Sequence, residues 1–211
     1  MAGLRKTGYT NKTSERYIIN AATIYTGVAY VPGEGFTGDL HGATSGGVTL
    51  TIEQEYRDVE VDGTGHVKVK GNKVLESATA TATANMKEIT AETIRRSLNG
   101  SIEDAKPEEA PEGYKIIKSK RYLEDSDYLE NIAVVGRLTG TDKPVIAILD
   151  NALCTSGLEL GTEDNGEAVI EQVYEAHATD DQLNADEMPW RIYFPNLDGS
   201  PDNSEEGGVE G

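Results

Sequence analysis

From Ser77 to Ala84 the chain reads Ser-Ala-Thr-Ala-Thr-Ala-Thr-Ala. In an extended strand successive side chains leave opposite faces, so every Ala falls on one side and every hydroxyl on the other. A helix would mix the two. The alanines are small enough to let another element lie close against their face. The same period governs Val48 to Ile52, where Val48, Leu50 and Ile52 alternate with Thr49, Thr51 and Glu53. Glu55 and Arg57 continue the polar side. Apolar residues then shift from even to odd numbers at Val59 and Val61, which places a bulge near Arg57-Asp58.

Asp62 to His66 reads as a turn, and Val67 and Val69 resume the alternation beyond it. A five-residue loop sets Val61 opposite Val67, Glu60 opposite Lys68, Val59 opposite Val69 and Asp58 opposite Lys70. Valines meet valines and acids meet bases, so both faces of this hairpin agree.

Further strands are expected at Arg16–Val31, Tyr114–Leu123, Leu129–Leu138, Pro144–Leu153, Leu158–Leu160, Ala168–Ala178 and Trp190–Phe194. The apolar runs at 129–138 and 144–153 are continuous enough to be central. One helix is expected, Ile89–Leu98. Thr90 suits its N-cap and Glu92 its first turn, Ile94 and Leu98 share a face, and Asn99-Gly100 ends it. The fold class is mainly β with about nine strands, no βαβ rhythm and no internal repeat. A polar arm (1–15) precedes a single β domain (16–195), and an acidic tail, expected to be disordered, follows (196–211). Within the domain, 32–47 reads as a long Gly-rich loop and 101–113 as an acidic one.

The charge of −18 argues against a nucleic-acid surface built on Lys and Arg, for which Lys115 to Arg121 would be a short patch. Half of it is local: segment 101–113 carries −4 and the tail −5. No apolar run approaches the roughly 18 residues of a membrane helix, and the polar start gives no secretory leader. A lone Cys154 makes no disulfide within the chain.

Catalytic and cofactor motifs fail on context. Gly33-Glu34-Gly35-Phe36-Thr37-Gly38 matches G-x-G-x-x-G, but the next residues, Asp39 to Gly47, cannot form the helix that would hold a pyrophosphate. Asp198 to Asp202 resembles the start of a calcium loop but lacks Gly at position six and Glu at position twelve. His41, His66 and His177 show no ligand spacing, Cys154 has no His near it in sequence, and no carboxylate pair is singled out. No enzyme, cofactor or metal is expected. Lys115-Ile116-Ile117-Lys118-Ser119-Lys120-Arg121 is the one basic cluster, and suits a charged edge strand.

Three stretches together resemble the major tail (tail tube) protein of long-tailed bacteriophages. They are Gly42–Val48 running into Glu53–Gly63, Val74–Ser77 continuing through Glu88–Leu98, and Pro144–Leu153 with Gly166–Thr179. The likeness covers most of 16–195 and leans to the non-contractile kind. It implies a β-sandwich or barrel with one flanking helix at about 89–99. It further implies hexameric rings joined edge to edge and stacked into a tube through which the genome passes without specific binding. The implied partners are other copies of the chain, a tape-measure protein and other tail proteins. The implied location is the virion, after synthesis in the host cytoplasm.

Under that likeness Glu53, Glu55, Glu171 and Glu175, on the polar side of alternating strands, are candidates to line the bore; an outer solvated face is the alternative. Candidate contacts between subunits are Arg5, Lys6 and Lys12 in the arm, Phe36 and Leu40 in the 32–47 loop, and Lys115, Lys118, Lys120 and Arg121. The competing class is a monomeric β-sandwich binding module, an adhesin or carbohydrate-binding domain.

Overall fold

The computed structural model describes residues 7–63, 65–162, 164 and 166–197. Among them the strands are β1 (Ile18–Val31), β2 (Gly35–Leu40), β3 (Thr44–Asp58), β4 (Lys73–Met86), β5 (Gly100–Asp104), β6 (Lys115–Ser119), β7 (Leu129–Leu138), β8 (Pro144–Cys154), β9 (Ile170–Glu175) and β10 (Trp190–Tyr193). Helix α1 is Ala91–Ser97 and α2 is Asp180–Asn184. The main sheet runs β2-β1-β7-β8-β9-β4-β3, with β10 also on β8, and β5-β6 forms a separate ribbon. Every ladder is antiparallel. The mainly β class and the flanking helix stand as read from sequence.

Strand β8 serves both halves of this sheet. Residues Ile146 to Leu149 pair with β10, whereas Leu153 and Cys154 pair with β9. Between them Asn151 sits at φ 46°, and its side-chain amide donates to the His177 carbonyl at 2.9 Å. The sheet rolls at this corner until β1 comes against β3. The two halves, β2-β1-β7-β8-β10 and β9-β4-β3, thus close on one core.

That core explains the alternation of β4. Ala80, Ala82, Ala84 and Met86 are buried against Ile24, Ile132, Leu149 and Tyr174. The small side chains let the opposite half approach. Burial of Ile24, Ile132 and Leu149 contributes about 1.5–3 kcal/mol each.

A second device shapes the other face. β1 leaves β7 after Thr26, where Gly27 takes φ 61°. The Asn131 carboxamide replaces the next rung: its Oδ1 accepts from the Val28 N–H at 2.7 Å and its Nδ2 donates to the Val28 carbonyl at 3.1 Å. Val28 packs there on Ala133, Ile146 and Ile148.

Several expectations are corrected. The 32–47 segment is not one loop: β2 occupies Gly35–Leu40 and β3 begins at Thr44. Gly46 and Gly47, at φ 76° and 90°, lie in a bulge between Ser45 and Val48 that keeps the ladder going. The acidic 101–113 segment starts within β5. The hairpin of β3 and β4 exists, but Asp58 pairs with Lys73, not Lys70. Val59 N–H bonds the Asn72 carbonyl at 2.7 Å, and Glu60 and Lys68 lie beyond the ladder. The bulge falls between Glu55 and Tyr56, leaving Glu76 as the extra residue on β4, rather than at Arg57-Asp58. The register read from the valines is off by three residues on the turn side, where Val59 meets Asn72 and not Val69. Leu158–Leu160 joins no strand, and α2 was not expected.

Candidate functional site

Residues directly opposite in an antiparallel ladder point to the same side. Glu53 faces Thr79, Glu55 faces Ser77, Glu175 faces Thr81 and Glu171 faces Asn85. Ser77, Thr79, Thr81 and Asn85 alternate with the buried alanines, so the four glutamates share the face of β3-β4-β9 turned away from the core. Thr49, Thr51, Thr83 and Val173 complete that face over this span, which contains no Lys or Arg. Glu53, Glu55 and Glu171 are exposed and Glu175 is half-buried. Glu55 accepts from the Ser77 hydroxyl at 2.9 Å.

The edge of this face is β3, fifteen residues long. Among the described residues it forms a ladder with β4 only. Its far half projects beyond the core with β4: among the described residues from Glu53 to Ser77 few side chains are even half-buried, and Tyr56, Val67 and Val74 are exposed. A two-stranded ribbon is marginal by itself in water, and an open edge invites another strand.

The candidate contact residues are scattered. Arg5 and Lys6 lie outside the described residues; Lys12 is exposed, just before a short 3₁₀ turn at Thr13–Glu15. Phe36 stacks edge-on against Tyr193 with centroids 4.9 Å apart, and Leu40, 60% exposed, pairs with Tyr25. The basic cluster is engaged within the chain. Lys115 meets Asp104 at 3.3 Å, Lys118 meets Glu103 at 3.5 Å, and Lys120 meets Asp127 at 2.8 Å and Glu124 at 2.9 Å. Arg121 lies 5.5 Å over the Tyr122 ring. Burial opposes charge on Asp127, but Lys120 and the Glu124 N–H outweigh it and hold the carboxyl below its usual range.

Helix α1 is docked by polar groups. Thr90 caps it, accepting from the Thr93 N–H at 3.0 Å, and Asn99 ends it at φ 45°. Its buried stripe is Thr93 and Ser97; Ile94 and Leu98, the expected face, are only half-buried. Gln172, fully buried on β9, donates through Nε2 to the Thr93 carbonyl and the Ser97 hydroxyl. Its Oε1 accepts from Tyr174 at 3.1 Å and lies 3.0 Å from His41 Nε2. His41 Nε2 also lies 2.9 Å from the Tyr174 hydroxyl, so the three side chains form one closed cluster. Burial lowers the His41 pKa, outweighing the Gln172 bond. Burial likewise raises the pKa of Tyr174 and of the Cys154 thiol, whose Sγ sits 3.5 Å from Ser156 Oγ. Sequence could not assign this cluster, whose members are 131 and 79 positions apart.

No protein-family model matches the chain, and no curated protein matches it. The solved structures containing chains to which it is similar include three particles. The virion of a native gene transfer agent particle gives 13% identity and TM-score 0.38 over 75% of this chain and 92% of that one. The tail of the empty gene transfer agent particle, with C6 symmetry, gives 12% and 0.37 over the same shares. The six-fold symmetrised baseplate of the anti-feeding prophage gives 13% and 0.38 over 86% and 97%.

Proposed function

We propose that this chain is the tube-forming structural subunit of a phage-type tail. The reading rests on the sequence resemblance of 42–63, 74–98, 144–153 and 166–179 to tail tube proteins. One structural observation carries it: a polar face bearing Glu53, Glu55, Glu171 and Glu175 ends at a β3 edge that, among the described residues, pairs with β4 alone. Copies joined edge to edge satisfy that edge, and closing the ring leaves none open. A closed ring of such faces presents carboxylates and hydroxyls to its bore. Duplex DNA binds by releasing counterions to Lys and Arg, and this face offers neither, so a genome can slide past it. The projecting β3–β4 ribbon then reaches the next ring. Six copies per ring, a tape-measure partner and a place in the virion belong to the same reading.

Negative-stain microscopy of the purified, concentrated protein tests it. Rings or tubes are expected; a species that stays monomeric at every concentration would reject it. A second reading, a monomeric binding module, is favoured by the exposed aromatic cluster of Tyr30, Phe36 and Tyr193.

A further inference from the structure

The β2-β1-β7-β8-β10 half has its own outward face, unrelated to the glutamate face. On it a cleft of 430 Å³ is lined by Tyr30, Glu130, Asn131, Asp150, Gln182 and Arg191, among others. Beside the cleft three rings stand in a row. Tyr30 and Phe36 have centroids 5.4 Å apart at 60°, and Phe36 and Tyr193 are 4.9 Å apart at 63°. None belongs to either buried cluster, and their exposures are 61%, 40% and 40%.

Arg191 joins the rings to the cleft. Its Nε donates to the Tyr193 hydroxyl at 3.2 Å and its Nη1 to Asp150 Oδ2 at 2.6 Å. Gln182 Nε2 donates to the same carboxylate oxygen at 3.2 Å, while Gln182 Oε1 is fixed by the Thr179 N–H at 3.0 Å. Asn131 is fixed by Val28. The polar groups are thus set before any ligand arrives, which removes much of the ordering cost of binding.

We propose that this cleft binds a neutral sugar ring. A pyranose has an apolar C–H face and a rim of hydroxyls, each both donor and acceptor. Tyr30 supplies an aromatic face at the mouth of the cleft for the first. Side by side, the Asp150 carboxylate and the Arg191 guanidinium supply an acceptor and donors for the second. The volume falls in the range of roughly 300–1,000 Å³ found for small-ligand sites. Glu130 and Asp150 outnumber Arg191, so a uronic or sialic acid is repelled. A second copy of the chain would have to desolvate the same carboxylates against its own acidic surface, a cost that hydroxyls avoid.

The test is saturation-transfer NMR and calorimetry of the intact protein. The probes are neutral oligosaccharides of glucose, galactose and N-acetylglucosamine, with oligogalacturonate for comparison. At least one neutral probe is expected to bind at millimolar concentration or better, and oligogalacturonate about ten-fold or more weaker. Tyr30→Ala should weaken the neutral probe about ten-fold or more, and Tyr30→Phe should not. Tyr30 is exposed near the hairpin tip, so an unchanged melting curve checks that both variants fold. No neutral sugar bound, or binding untouched by Tyr30→Ala, overturns the proposal. So does loss of self-association in Tyr30→Ala without sugar binding, which makes the aromatic row a contact between copies. Sugar binding by a chain that never forms rings rejects the tube and leaves this site standing.

Discussion

Gln172 donates its side-chain amide to the Ser97 hydroxyl at 3.0 Å, and this bond, with the one to Thr93, fastens α1 to β9. All four hydrogen-bonding positions of the amide are met inside the protein, by Thr93, Ser97, Tyr174 and His41. Gln172→Leu keeps the volume and removes every bond, leaving groups on α1, β9 and the end of β2 without their common partner. Such a loss costs about 2–4 kcal/mol. Urea unfolding should show that drop in stability, with α1 amides exchanging faster than those of β7 and β8.

His41 makes stability depend on pH. Its folded pKa lies below the ordinary 6.5 because burial, helped by nearby Arg96, outweighs the Gln172 bond and Glu92. The unfolded chain therefore takes up a proton at a pH where the native imidazole stays neutral. By linkage the His41 contribution is complete above pH 6.5 and is lost as pH falls through the folded pKa. The urea midpoint should fall on acidification from neutral through that window. In His41→Gln, whose amide can donate to the Gln172 oxygen, the slope should flatten. An equal slope in both proteins would assign the loss to other groups.

What was legible in the sequence is what one strand or one cap can specify. β7 and β8 begin at Leu129 and Pro144 as read, because continuous apolar runs bounded by turns have one meaning in a buried sheet. Thr90 caps α1 because its hydroxyl acts three residues away. The face of α1 was not legible: Thr93 and Ser97 are buried only because Gln172, far along the chain, supplies their partner. The 59–72 register failed for another reason. The valine and charge pattern there is self-consistent, but the ladder ends at Asp58 opposite Lys73 and Val59 bonds Asn72, so the connection is longer than the five-residue loop that pattern requires. β2 was hidden by its two glycines and single acid, and is a strand because β1 turns back at Gly33 and offers its edge. α2 could have been found, since Thr179 and Gln182 have capping-box spacing. The glutamate face was readable as polar. That its four members share one side followed only from the ladders.

Asn131 stands in for a missing strand rung, and its removal should separate the Val28 hairpin from the rest. In Asn131→Ala the buried Val28 N–H and C=O lose their partners, a cost of about 2–3 kcal/mol. Because β1 still pairs with β7 up to Thr26, the damage should be local. Hydrogen exchange should show residues 28–36 opening well before Thr23 to Thr26. Uniform acceleration across β1 would show that Asn131 supports the whole sheet.

Reversing Glu53 and Glu55 to Lys probes the proposed channel. Both side chains are exposed and point away from the core, so the isolated chain should lose no more than about 1 kcal/mol. Ring formation should survive, since the proposed contact is made by backbone groups of the β3 edge. Six copies would place a dozen lysines around the bore, facing duplex DNA with about one charge per 1.7 Å. Charges act over only about 8 Å at physiological salt, so the change matters if these residues face the DNA and not if they face bulk solvent. Particles carrying the double variant should assemble normally and deliver genome more slowly, with the defect relieved as salt rises. Wild-type infectivity at all salt concentrations would place the glutamates on an outer wall and exclude their role in the lining.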